Sequence, residues 1–133
     1  MQFSTSVRNA VLDAIEADIG ASPILRIRTG AVPANCAAAD TGTVLVEMTL
    51  PSDWMAAASS GSKALSGKWE DASANATGTA GHFRVYDPTG TTCEVQGTVT
   101  ATSGGGDMEV DNTNIAAGQN VTVTAFTLTS GGA

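Results

Sequence analysis

The run His82-Phe83-Arg84-Val85-Tyr86-Asp87, then Pro88-Thr89-Gly90, then Thr92 to Thr100, constrains the fold more than any other part of the chain. Pro88 presets φ for the first central position of a turn and Gly90 tolerates positive φ, so the chain is expected to reverse there. Both flanks alternate with period two. Phe83 and Val85 point one way, and His82, Arg84 and Tyr86 the other. On the return strand Cys93, Val95, Gly97 and Val99 share the apolar face, opposite Glu94, Gln96, Thr98 and Thr100. This is the signature of an antiparallel hairpin.

The same period continues on either side of it. Leu25-Arg26-Ile27-Arg28-Thr29 alternates apolar and basic residues, which marks a half-buried strand. Gly30 to Gly42, with Pro33 and a run of small residues, is a loop. Thr43 to Leu50 is the most apolar strand and is expected to be central, with Pro51 stopping it. Ser52-Asp53 can cap a short helical turn carrying Trp54 and Met55. Lys63 to Trp69 forms another expected strand, and Glu70 to Thr79 a loop or irregular extended piece. In Asn120 to Thr129, Val121, Val123 and Ala125 have one parity while Phe126 and Leu128 have the other. Both sets reach one core only through an extra residue, which predicts a bulge near Ala125. Six to seven short strands joined by Gly-rich turns predict a mainly β fold, an antiparallel β-sandwich or small barrel, over residues 24–129.

Residues 1–20 have a helical period instead. Phe3, Val7, Ala10, Val11, Ala14, Ile15 and Ile19 recur three or four apart, giving one N-terminal amphipathic helix. Ser4 or Thr5 can cap its start, Asp13, Glu16 and Asp18 are expected outward, and Gly20 and Pro23 end it. Its stripe must pack on something, either the sheet of its own domain or a neighbouring subunit. Residues 130–133 form a polar, flexible tail. The chain is thus expected to be a single domain over 1–133.

Thirteen acids against six bases leave a net charge of −7. That balance argues against nucleic acid, whose backbone demands a basic footprint, and against docking on anionic membranes. No apolar run approaches the roughly 20 residues of a membrane helix. The N-terminus lacks the basic start and unbroken apolar stretch of a secretory signal, so a cytoplasmic setting is expected. Cys36 and Cys93 stand alone and far apart, outside any CxxC arrangement. They are therefore read as free thiols, without support for zinc.

Candidate chemistry is thin. Gly104-Gly105-Gly106-Asp107-Met108-Glu109-Val110-Asp111 resembles a calcium loop, because Asp107, Glu109 and Asp111 alternate. Asn112 stands where the glycine of a calcium hand belongs, however, and the closing Glu is missing. A turn leading into a strand accounts for more, with Met108 and Val110 inward and the acids outward. His82, Asp87 and Cys93 invite a nucleophile constellation. His82 is instead expected at the surface or an edge, with Cys93 on the opposite, apolar face. Trp54 and Trp69 could form a carbohydrate platform, but scarce tryptophans in a small domain are more often core anchors. No enzymatic site, cofactor or metal is expected.

Several stretches resemble a family of small structural proteins encoded among the virion genes of tailed bacteriophages and prophages. They are the opening helix ending at Gly20-Ala21; Leu25-Arg26-Ile27-Arg28-Thr29-Gly30 with Pro33 and its Ala-rich loop; and Thr41-Gly42-Thr43-Val44-Leu45. Thr79 to Asp87 and Asp111 to Gln119 complete the set, and their order carries more than any one of them. The resemblance implies a virion structural component without an enzymatic site, assembled in the host cytoplasm. The leading expectation is a capsid decoration or cement protein that touches the major capsid protein and self-associates as a homo-oligomer. A tail, baseplate or fibre subunit is the alternative within virions, and a carbohydrate-binding module the alternative outside them. Candidate interface residues are Phe3, Val7 and Val11 on the helix, Arg26 and Arg28 as an exposed basic edge, and the tail from Ser130.

Overall fold

The computed structural model describes all 133 residues: one helix and a nine-stranded, mostly antiparallel sheet curled into a half-barrel. The helix α1 spans Thr5–Ile19. Ser4 is its N-cap, its Oγ accepting from the Val7 N–H, and Gly20 (φ 95°) ends it by donating to the Glu16 carbonyl. The strands are β1 (Ile24–Thr29), β2 (Val44–Thr49), β3 (Ser62–Ala64), β4 (Glu70–Asp71), β5 (Gly78–Tyr86), β6 (Cys93–Ala101), β7 (Met108–Val110), β8 (Asn114–Ile115) and β9 (Val121–Thr129). Their spatial order is β2-β1-β5-β6-β7-β9-β3, with β4 beside β9 and β8 beside β5.

This corrects the expected sandwich of six to seven antiparallel strands. The two additional strands, β4 and β8, are two residues each, too short to display a period. One pairing, β6 with β7, is parallel. Its connection is only 102–107, where parallel strands ordinarily need a dozen or more residues. Glycine makes that tight return possible: a Cβ on Gly104 would lie 2.7 Å from the Thr100 Cβ, and one on Gly106 2.8 Å from the Thr100 Cγ2. Gly104 and Gly106 therefore serve close approach to the end of β6, and Gly105 supplies a positive φ of 82° between them.

The most apolar strand, β2, is terminal rather than central. Its outer edge is nonetheless covered, because the segment around β4 bridges it to β9. The Asn75 N–H donates to the Leu45 carbonyl, the Glu47 N–H to Asp71 Oδ2, and β4 itself ladders onto β9. The curl thus closes on a polar strap, which is how Leu45 and Val46 come to be fully buried at the end of a sheet.

Inside the curl, Leu25, Ile27, Phe83, Val85, Val99, Met108 and Val110 pack around Trp54, Trp69 and Phe126. Phe126 meets the Trp69 ring at 5.4 Å and the Phe83 ring edge-on at 5.5 Å between centroids. The expected bulge is present: Glu109 faces Ala125 but Val110 faces Val123, leaving Thr124 over. Val121 and Val123 before it, and Phe126 after it, are all buried as a result. The expected turn of helix at Ser52-Asp53 is only a bend, and beyond β3 the expected strand Lys63–Trp69 is reduced to a single bridge from Leu65 to Met55.

The helix is anchored through Leu12 and Ile19, with Ile15 partly buried beside them. Glu16, expected outward, turns in: with Asp13 it grips the buried Lys63 ammonium at 2.8 and 2.6 Å. Burial opposes the Lys63 charge, but the two carboxylates outweigh it and raise its pKa. The tail is tied down rather than free. Ser130 N–H donates to the Gly61 carbonyl, Arg8 donates to the Ser130 carbonyl, and Phe3 N–H donates to the Gly132 carbonyl.

Candidate functional site

Two surfaces stand out, one polar and roofed over, the other apolar and open. The first is the convex face of β1, β5 and β6. Arg28, His82, Arg84 and Tyr86 project from it, as their alternation predicts, but the loop Gly30 to Gly42 lies across them and all four are buried. The Arg84 guanidinium holds that loop. It donates to the Asn35 and Ala38 carbonyls at 3.0 and 2.9 Å, to Asp40 Oδ1 at 2.9 Å and to Gln96 Oε1 at 3.1 and 2.9 Å. Gln96 in turn donates to the Pro33 carbonyl at 2.7 Å. Thirteen residues without secondary structure are thereby fixed by side chains reaching up from the sheet.

Asp40 is the electrostatic centre of this layer. Tyr86 Oη donates to it at 2.6 Å, Arg84 at 2.9 Å, and Arg28 lies 3.3 Å from its other oxygen. The Tyr86 hydroxyl and then the two guanidiniums hold the Asp40 carboxyl below its ordinary range. Tyr86 moves upward, first from burial and then because its proton is committed to Asp40. Burial works against the Arg84 charge, yet Asp40 keeps the group firmly protonated. Arg28 Nε and His82 Nε2, on residues paired directly across β1 and β5, have no hydrogen-bond partner.

The sequence-derived candidates redistribute on this frame. Arg26 and Arg28 are not an exposed edge, because β1 lies between β2 and β5. Arg26 is committed to Glu47 at 2.6 Å and stacks on the Tyr86 ring, and Arg28 is buried against Asp40. His82 is fully buried, its Nδ1–H donating to the Gly30 carbonyl 2.9 Å away, so a surface position is corrected. Cys93 is also corrected. Val85 faces Val95 but Tyr86 faces Cys93, so Glu94 is an extra residue and Cys93 rotates to the loop side. There it meets Cys36. Asp87 is occupied in its own turn, accepting from the Thr91 and Thr92 N–H groups. His82, Asp87 and Cys93 are thus not assembled as a catalytic unit.

The three acids of the calcium-like loop each hold backbone. Asp107 accepts from Thr98 N–H and Oγ1, Glu109 from Ser103 and Gly105 N–H, and Asp111 from Thr122 N–H. Trp54 and Trp69 are core residues, each 1 % exposed, with indole N–H groups bonded to the Gly20 and Ser66 carbonyls. They offer no surface platform for a sugar ring.

The second surface is on α1. Because Leu12 and Ile19 face the sheet, the stripe of Phe3, Val7 and Val11 faces away from it, 46 to 51 % exposed. The helical period is real, but it contains two apolar stripes, and only the one centred on Leu12 belongs to the core. What the observed fold defines is a small mainly β protein with an externally mounted helix. No protein-family model matches the chain, and neither a curated protein nor a solved structure matches it.

Proposed function

We propose that this chain is a structural protein of a tailed-bacteriophage virion, seated on the head shell as a decoration or cement protein. The observation that carries this reading is the exposed stripe of Val7 and Val11 on a helix already secured through its other face, extended by Phe3 just ahead of the N-cap. Val7 and Val11 on α1, with Phe3 just ahead of its Ser4 cap, place three half-exposed apolar side chains at i, i+4 and i+8, a linear contact strip of the kind that docks in a groove of another protein. The resemblance of the ordered loop and strand motifs to small virion proteins gives that partner a class, the major capsid protein, with further copies of the chain beside it. The buried ionic groups fit the same role. Arg28, Lys63 and Arg84 are matched by acids of the same chain, so docking through the stripe requires no unpaired buried charge to be met by the partner.

Quantitative mass spectrometry of purified particles from the phage or prophage that encodes the chain tests the proposal. Copies on the order of the major capsid protein support shell decoration. A handful per particle would move the chain to the tail, baseplate or fibre, and absence from particles would overturn the virion reading altogether.

A further inference from the structure

We infer that Cys36 and Cys93 form a redox-controlled cross-link site, at which a small-molecule disulfide oxidant joins the Gly30–Gly42 loop covalently to β6. The two Sγ atoms are 2.7 Å apart although the residues are 57 positions apart in sequence. The two free thiols stand inside ordinary van der Waals contact, and a disulfide needs only a further approach to about 2.05 Å. Two independent features produce this meeting. The extra residue Glu94 turns Cys93 away from the apolar face, and the Arg84 bonds to Asn35 and Ala38 hold the loop backbone on either side of Cys36. The thiols are therefore brought together by the folded structure and not by their own attraction.

They are also reachable. Both are half-buried and line an open cleft of about 300 Å³, between Ala37–Asp40 and Thr91-Thr92. Oxidised glutathione suffices as oxidant by thiol–disulfide exchange. One cysteine thiolate attacks the glutathione disulfide, forming a mixed disulfide and expelling one glutathione thiolate. The second cysteine sulfur then attacks the protein-side sulfur, expelling the other. The two cysteines lose two electrons and two protons, and one glutathione disulfide becomes two glutathione thiols. Burial, and then the neighbouring Cys36, push the Cys93 thiol up to about 12, so closure requires removal of a held proton and accelerates as pH rises.

The test uses the folded, fully reduced chain incubated with oxidised glutathione, quenched with iodoacetamide and mapped by non-reducing peptide mass spectrometry. The expected product is a monomer that has lost two hydrogens, takes up no label and yields one Cys36–Cys93 linked peptide. Hydrogen exchange across residues 30–42 should slow, and Tm should rise by about 10 °C, reversibly with a phosphine reductant. Cys36→Ser and Cys93→Ser should each abolish the glutathione-dependent rise; a rise that persists in either variant overturns the fastening role. Two alkylated thiols, separate glutathione adducts on both cysteines, or links between chains would overturn the site itself. The mapping of the unmodified chain decides the matter even if a serine variant fails to fold.

Discussion

The two faces of the β1–β5–β6 region both hold buried side chains, but of opposite materials. On the concave side Leu25, Ile27, Phe83 and Val85 meet aromatic rings, and nothing directional is required beyond shape. On the convex side Arg28, His82, Arg84 and Tyr86 are also buried, under a loop, and are held mainly by hydrogen bonds and ion pairs, which leave Arg28 Nε and His82 Nε2 without a partner. The difference separates two jobs. Apolar packing supplies most of the free energy of folding, because each buried ring removes large areas from water. The polar layer contributes less net stability, since desolvation offsets its attractions, but it fixes one conformation of a loop that has no ladder of its own.

The sharpest way to test that division is to damage each face separately. Trp69→Ala opens a cavity beside Trp54 and Phe126 and should cost about 3–5 kcal/mol, read as a fall in the urea midpoint at unchanged slope. Loss of that order leaves a small domain close to unfolding.

Asp40→Asn strikes the other face and should cost less, about 1–2 kcal/mol, because Arg84 keeps Gln96 and two carbonyls and the Asp40 carboxylate is 41 % exposed to water. The damage should be local, with hydrogen exchange rising over residues 30–42 and not in β7 or β9. The pH dependence fixes the cause. The Asp40 pKa in the folded protein lies below its ordinary value, chiefly through the Tyr86 hydroxyl, so its ionised form stabilises the fold above the unfolded pKa near 3.8. That contribution is lost as pH falls through the lower folded value. The stability gap between the unmodified chain and the variant should be full at pH 7 and narrow progressively below about pH 4. A gap independent of pH would mean that the amide disturbs packing rather than charge.

The same contrast explains what could be learned before the fold was known. Period-two alternation identified the hairpin, the parity of its apolar residues and the conflict at Ala125, because each depends on neighbours two positions apart. It assigned His82, Arg84 and Tyr86 correctly to one face, but it could not say that the face is roofed. Coverage of that face comes from residues 30–42, whose Ala-rich sequence has no periodic signal. Cys93 was misplaced by a single unpaired residue, Glu94, since strand parity is lost wholly at each bulge. On the helix the apolar period was legible, whereas the choice between the Leu12 stripe and the Phe3–Val7–Val11 stripe is made by the sheet it packs on. Arg26 and Arg28 read as free charges because their acids, Glu47 and Asp40, lie elsewhere in the sequence.

The helix carries the same contrast between covered and open faces in its simplest form, and its open side gives the smallest expected effect on folding. Val7→Asp with Val11→Asp replaces two side chains that are about half exposed, so stability should change by no more than about 0.5 kcal/mol. Val7 is the third residue of α1, where an aspartate also favours the positive end of the helix dipole, which offsets the lower helix propensity of the change. Association should respond quite differently. Under the proposed seating on the head shell, two charges in the middle of the apolar strip would be desolvated without a partner, so binding to shells stripped of the native protein should fall by at least tenfold in a co-sedimentation titration. A variant that unfolds would show that the strip is structural after all. A folded variant that still sediments with shells would move the contact to another face of the molecule.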